Sequence, residues 1–373
     1  MSVPSPSRLL GRVLCPICLQ WIHWRKAQRV EVDVETQQHR PFRPRGADET
    51  REAFAERRLG AQRACTLMRD GMATTHYLPD RYGDYGDPIV IGLVGHRAAG
   101  KTLLLAAMVE ALRNNLELAD LGLRVERLDE GIEHNYMTRF VEPFCHRREQ
   151  LPLTQISPIA FSYVAKVYSA HARRDFAVAF FDVAGEQLRR RRSGDRFLDT
   201  SFLSAVNALI FVVDPEKALP TVLGEPATVY GDPAFNAVMD RLVEVRGESG
   251  TQFLPIPAAV VVAKSDLLAP RRTEVARWLS RDDTRALHTV AQESEEVYEF
   301  LATNGAERFL PPVNRVSDVS LHFASAAGVA PVDGHFPAEG FGPKRVLRPL
   351  LSLFAMTGVL DRSMLGEQEV LVR

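Results

Sequence analysis

Ile89-Val90-Ile91-Gly92-Leu93-Val94-Gly95-His96-Arg97-Ala98-Ala99-Gly100-Lys101-Thr102 is the stretch on which the fold turns. Its first six residues read as a short buried strand, and an amphipathic helix is expected over 101–115. Between them, residues 95–102 satisfy G-x-x-x-x-G-K-[ST] at every fixed position, in the strand–loop–helix setting that the motif requires. The glycines let the backbone curl into a ring of N–H groups, and the helix N-terminus adds its positive dipole end. In that reading Gly95, His96, Arg97, Ala98, Ala99, Gly100, Lys101 and Thr102 cradle the phosphates of a nucleotide. Lys101 reaches the terminal phosphates, and Thr102 offers a hydroxyl to Mg²⁺. The chain has only six lysines against forty arginines, so a lysine at this position stands out.

The pattern continues outward as strands alternating with helices, which implies an α/β sheet. Strands are expected at 89–94, 159–167, 176–181, 208–213, 258–263 and 319–323. Helices are expected at 233–245, 272–280, 284–303 and 345–356. The connector between 159–167 and 176–181 is too short for a crossover helix, so that pair should be antiparallel. A polar helix is expected within 130–150.

Three later segments bear on the choice of nucleotide. Phe180-Phe181-Asp182-Val183-Ala184-Gly185 ends an apolar strand in D-x-x-G. There Asp182 would hold Mg²⁺ through water, and the Gly185 N–H would sense the third phosphate. A plain strand-ending aspartate is the alternative. Ala263-Lys264-Ser265-Asp266 matches [NT]-K-x-D except at its first position. An aspartate there accepts from guanine N1 and N2, which adenine cannot supply, and Lys264 lies over the base. A solvated K-x-D turn is the alternative. Ser325-Ala326 follows the last strand, where backbone N–H groups would face guanine O6.

On these residues the chain resembles a P-loop GTPase of the translation-factor-related class, over about 87–358. The resemblance implies a Ras-like α/β sheet with one antiparallel strand pair, GTP or GDP as ligand, and Mg²⁺. The N-terminal cysteines, the long gap before switch I and the D-x-A-G-E form are similar to the bacterial double-GTPase 2 family, associated with conflict and regulatory systems. The class needs a switch I threonine for Mg²⁺ and the third phosphate. Thr154 is the best placed, with Thr138 as runner-up. Glu186 stands where many small GTPases carry a water-orienting glutamine, with Gln187 next to it. Arg97 is either a built-in arginine for hydrolysis or a solvent-facing loop side chain. The glutamate at position 186 implies slow intrinsic turnover and a switch-like role, while Ala263 and Glu186 keep a scaffold reading open.

Residues 1–86 differ in texture from 87–373, and the two are taken as a small Cys/His module and a GTPase domain. The first carries three of the four cysteines and shows little sustained periodicity. Cys15-Pro16-Ile17-Cys18 has zinc-knuckle spacing. Cys65 and His76 would complete a site, with His23 and His39 as spares. Two buried thiols in a small core are the alternative, and Cys145 reads as a packing residue.

Composition bounds the rest. The 373 residues are 46% hydrophobic and 25% charged with a net charge of −1, which excludes global disorder and a bulk basic field for nucleic acid. No spanning segment or signal peptide is read, and few cysteines point to a reducing cytoplasm. A protein partner or self-association through the switch regions is expected. The competing readings are a pseudo-GTPase scaffold that binds a protein partner, and a P-loop ATPase.

Overall fold

The computed structural model describes residues 11–32, 38–69, 72–152, 161–182, 202–226, 229, 231–246 and 253–366. An N-terminal hairpin pairs β1 (Arg12–Leu14) with β2 (Trp21–His23). A four-stranded antiparallel sheet follows, from β3 (Arg29–Val32), β4 (His39–Pro41), β5 (Ala61–Arg69) and β6 (Met72–Pro79), in the order β4-β3-β5-β6. Helix α1 (Arg51–Leu59) precedes β5 and is capped by the Thr50 hydroxyl, which accepts from the Ala53 N–H. The sheet and α1 are tied by Asp80, whose carboxylate takes Arg29 and Arg58 at 2.6 Å and Arg63 at 3.0 Å. A carboxylate this buried is tolerated because it is paired on every side. The sequence showed no sustained periodicity here because most of these strands are three or four residues long.

The larger unit is a seven-stranded sheet. Its strands are β7 (Ile89–Val94), β8 (Leu123–Arg127), β9 (Tyr163–Ser169), β10 (Arg174–Asp182), β11 (Ala208–Val213), β12 (Ala258–Val262) and β13 (Val319–Phe323). Their order is β13-β12-β11-β7-β10-β9-β8. The strands from β13 to β10 run parallel, whereas β9 is antiparallel to β10, as expected, and β8 is antiparallel to β9. Every residue of β7, β11 and β12 is buried, the mark of parallel strands covered on both faces. Alternate residues serve the two faces. Ile89, Ile91 and Leu93 join one core with α2 (Lys101–Asn114), while Val90 and Val94 join the other.

The edge strand β8 was not anticipated. Three of the five residues in its Leu-Arg-Val-Glu-Arg sequence are charged, because one face of an edge strand meets solvent. The expected 130–150 helix divides into α3 (Glu130–Tyr136) and a π-helical turn, Met137–His146, that contains Pro143. Proline has no N–H to donate, so the regular ladder cannot run through it. Helices α4 (Pro215–Ala218), α5 (Pro233–Arg246), α6 (Thr273–Leu279) and α7 (Val290–Thr303) follow in turn. The helix before the C-terminus, α8 (Arg348–Met356), starts three residues later than the sequence suggested, with Pro349 in its first turn.

The N-terminal unit packs on the sheet rather than standing apart. Val13, Trp24, Leu78 and Tyr82 share a core with Val90 and Phe181. Tyr82 meets Phe161 edge-on at 5.3 Å between centroids, and Phe161 meets Phe181 at 5.1 Å.

Candidate functional site

Main-chain geometry builds the loop after β7. Gly95 cannot carry a side chain, because a Cβ there would lie 2.6 Å from the Val212 carbonyl oxygen on the neighbouring strand. Gly100 has φ +91, the left-handed conformation that glycine adopts without strain, and it turns the chain into α2. Ala98 also has positive φ, at +65. Ala99 is fully buried beneath the loop, while Arg97 and Ala98 are exposed at its rim. Lys101 is 8% exposed and donates to the carbonyls of Gly95 and His96, each at 2.9 Å. Burial lowers its pKa, and the Asp182 carboxylate acts in the opposite direction. His96 Nδ1 lies 2.5 Å from the Arg97 carbonyl.

Asp182, the last residue of β10, reaches across to α2. It accepts from the Thr102 hydroxyl at 2.8 Å, and its own N–H donates to Ser162 Oγ at 2.9 Å. Burial raises its pKa, opposed by Lys101 and the Thr102 hydrogen bond. A hydroxyl and a carboxylate side by side at the C-terminal end of a parallel strand are hard oxygen donors, which suit Mg²⁺ and one or two of its waters. Asp182 and Thr102 are therefore a pair that fits the metal a nucleotide would bring.

A second set of groups lies across the same opening. Lys264 follows β12 with φ +48. A Cβ built on Gly100 would sit within 4.0 Å of the Lys264 stem, so this side chain lies against the phosphate loop. Its ammonium is gripped by Asp214 at 3.1 Å and Glu216 at 2.5 Å. Burial works to lower the Lys264 pKa, but these two carboxylates outweigh it and the net direction is upward. Asp214 is itself raised by burial, with Lys264 opposing. Neither acid was singled out in the sequence. The signal was available in Asp214-Pro215-Glu216, an acid pair flanking a helix-initiating proline at the end of a buried strand.

Asp266 accepts a hydrogen bond from the Ser325 hydroxyl at 2.5 Å, and Ser325 Oγ in turn accepts from the Gly328 N–H at 2.8 Å. Ala263, which stands where the motif has Asn or Thr, is 4% exposed. Ser265 braces the turn instead, its N–H donating to the Ala324 carbonyl at 3.1 Å and its hydroxyl to the Val262 carbonyl at 2.6 Å.

These groups border one cleft of about 440 Å³. Arg97, Ala98, Gly100, Lys101, Thr102 and Asp182 form one end. Lys264, Asp266, Ser325 and Ala326 form the other. The sequence did not foretell the remaining walls, which include Leu151, Pro152, Val329, Ala330, Pro331 and Phe336. Thr154, Gly185, Glu186 and Gln187 lie outside the described residues. Thr138 falls in the π-helical turn.

A different constellation sits in the N-terminal unit. One ligand atom each from Cys15, Cys18, Cys65 and His76 lie within 4.8 Å of one another. Cys15 and Cys18 occupy the turn between β1 and β2, closed by Leu19 N–H to the Cys15 carbonyl at 2.9 Å. Cys65 and His76 are direct cross-strand partners on β5 and β6. The Cys18 and Cys65 sulfurs are 3.5 Å apart, close to the roughly 3.8 Å of two thiolates on a tetrahedral zinc with 2.3 Å bonds. His76 Nδ1 is buried and has no hydrogen-bond partner. An orphaned imidazole nitrogen beside three sulfurs is the donor set of a closed structural zinc site. Hydrogen bonds from Cys15 and Cys65 pull the Cys18 thiol pKa down, while its bond to Cys18 pushes Cys15 up to about 11. The spare histidines lie outside this group, and His39 stacks on Tyr77 at 3.4 Å between ring centroids. Cys145 is partly buried against the sheet core, as expected of a packing residue.

No helix among the described residues is long and apolar enough to cross a membrane. No protein-family profile matches the chain. A Mycolicibacterium smegmatis protein described as "Putative ESX-1 scaffolding and assembly protein SaeC" is 25% identical over 319 residues, 76% of this chain and 78% of that protein. Among solved structures, a bacterial selenocysteine-specific elongation factor, EF-Sec, aligns at 14% identity with a TM-score of 0.29. That alignment covers 74% of this chain and 29% of the elongation factor, a likeness too low to fix any detail of the site.

Proposed function

We propose that this chain binds a guanine nucleoside triphosphate with Mg²⁺, hydrolyses it slowly, and acts as a switch read by a protein partner. The observation that carries the reading is convergence. The 95–102 loop, Asp182, Lys264 with Asp266, and Ser325 with Ala326 are far apart in sequence, yet they border a single cleft. Lys101 and the loop N–H groups would hold the phosphates, and Thr102 and Asp182 would hold Mg²⁺, which neutralises charge on the phosphate oxygens. Asp266 would accept from the guanine edge, with Lys264 over the base. The strand order, with one antiparallel neighbour beside β10, supports a Ras-like sheet in the translation-factor-related class. The finer likeness to the double-GTPase 2 family, and a division at 86/87, belong to the same proposal. Zinc held by Cys15, Cys18, Cys65 and His76 would fix the small N-terminal unit against the sheet.

A second reading is a scaffold whose nucleotide site is structural. The M. smegmatis relative, described as a putative scaffolding and assembly protein, favours it. One experiment separates the readings: identify the nucleotide that co-purifies, then compare GTP and ATP turnover. Guanine nucleotide with measurable hydrolysis supports the switch. Guanine nucleotide without turnover supports the scaffold, and preferential ATP turnover overturns the guanine assignment.

A further inference from the structure

The base end of the cleft carries a loop that does more than present Ser325. Residues 325–344 leave and return at one point, where Ser325 and Lys344 exchange two main-chain hydrogen bonds at 2.9 and 2.8 Å. The neck is tight. A Cβ on Gly328 (φ +78) would lie 2.6 Å from the Gly342 carbonyl oxygen, so the two limbs are in contact there. One limb turns Val329, Ala330 and Pro331 toward the cleft.

The far end of the loop is fastened to a different part of the chain. Gln150 N–H donates to the Gly334 carbonyl at 2.8 Å, and Phe336 N–H donates to the Arg148 carbonyl at 2.7 Å. Glu149 and His335 lie opposite each other between these two bonds. Phe336 closes the junction against Phe144 at 5.4 Å and Phe341 at 5.8 Å between centroids. Immediately after this bridge come Leu151 and Pro152, which form part of the cleft wall. Two walls from distant segments are thus joined by main-chain bonds and a buried aromatic cluster, and neither can swing away alone.

We propose that the 325–344 loop is a nucleotide-retaining clasp, with Gly334 and Phe336 as positioning residues that bind the Leu151–Pro152 wall to the Val329–Pro331 wall. The proposal rests on the nucleotide reading of this cleft. Release of the nucleotide then requires the 148–150/334–336 bridge to open, so the bridge sets the off-rate without touching the nucleotide.

The bridge can be both weakened and locked. Gly334 has φ +80 and no atom within 4 Å of a built Cβ, so Gly334→Val strains the backbone there without a steric clash. Glu149 and His335 form a non-hydrogen-bonded antiparallel pair, the spacing a disulfide spans. Glu149→Cys with His335→Cys, in a Cys145→Ser background, should lock the clasp under oxidation. The measurement is dissociation of fluorescent GDP from full-length protein, chased with unlabelled GDP. Gly334→Val should speed release and the oxidised pair should slow it, each by about ten-fold, within the usual range of a coupling between linked sites. Reductant should restore the pair to the wild-type rate, and the Cys145→Ser parent should ignore both treatments. Equal rates for wild type, Gly334→Val and the oxidised pair overturn the clasp alone. Failure of the wild type to bind any guanine nucleotide overturns the nucleotide reading and the clasp with it.

Discussion

The phosphate-loop cleft and the cysteine cluster gather buried polar groups in contrasting ways. In the cleft, the end read as the phosphate site draws five of its lining residues from the consecutive run 95–102, and the backbone shape of that run is the device. Gly95 is forced by the Val212 carbonyl, and Gly100 supplies a left-handed turn. In the cluster, four side chains arrive from a knuckle and from two positions on facing strands. The first site keeps its form through main-chain packing on a large sheet. The second joins a knuckle to two facing strands of the N-terminal unit, where four ligands around one ion would add a tie to the core that the unit shares with the sheet. Damage at the cleft should therefore remove function and spare the fold. Damage at the cluster should remove the local fold first.

The largest expected effect is at the cluster. Structural zinc in small modules is worth about 10–16 kcal/mol of apparent folding free energy. Cys65→Ser, or a strong chelator, should release about one zinc per chain and melt the N-terminal strands, seen as lost circular dichroism and early proteolysis. GTP affinity should survive, because no ligand of the cluster borders the cleft. Elemental analysis that finds no zinc in freshly purified protein would return these residues to an ordinary core and remove the contrast.

Next is the phosphate end. Lys101→Ala removes a buried ammonium, which on the proposed reading would face the phosphates, and little packing. Truncating one partner of a buried charge pair costs about 2–5 kcal/mol, so GTP binding should fall by at least several tens-fold while the melting temperature holds. Calorimetric titration with wild-type affinity in this variant would contradict the phosphate-loop assignment. The base end comes third. Asp266→Asn exchanges an acceptor for a donor, and should weaken GTP by about 2–3 kcal/mol while improving binding of xanthosine triphosphate. Because the Ser325 hydroxyl already donates to Asp266, Ser325→Ala should weaken GTP in the same direction by less. A wild type that binds ATP and GTP equally refutes the base assignment without any mutant.

How much of this was legible follows from the same contrast. The strand–loop–helix over 89–114 could be read because its motif is local, with residue types fixed at neighbouring positions. The parallel strands were visible as apolar runs, and the antiparallel pair from the shortness of its connector. The fourth cysteine-site ligand was read from spacing, although its real reason is cross-strand register, Cys65 opposite His76. The grip of Asp214 and Glu216 on Lys264 was not read, since it joins positions about fifty residues apart through a side-chain contact. Strand β8 was hidden because an edge strand has a polar face. The 148–150/334–336 bridge was hidden because main-chain hydrogen bonds leave no residue-type signature.

The smallest expected effect concerns Arg97. It is exposed at the rim of the cleft, on the side where the loop turns outward at Ala98. An arginine aligned at the transition state of phosphoryl transfer is worth about 10³–10⁵ in rate. A rim position on an exposed turn suits contact with an entering partner better than a fixed pose over the third phosphate. Arg97→Ala should therefore leave GTP affinity nearly intact and change basal single-turnover hydrolysis little. On the reading that the hydrolytic group comes from outside the chain, hydrolysis should instead rise with protein concentration or with added partner. A sharp loss of basal rate in Arg97→Ala would assign the arginine in cis. Fast hydrolysis that is independent of concentration and survives the substitution would sink both versions. It would leave the cleft as a site whose own residues orient the attacking water.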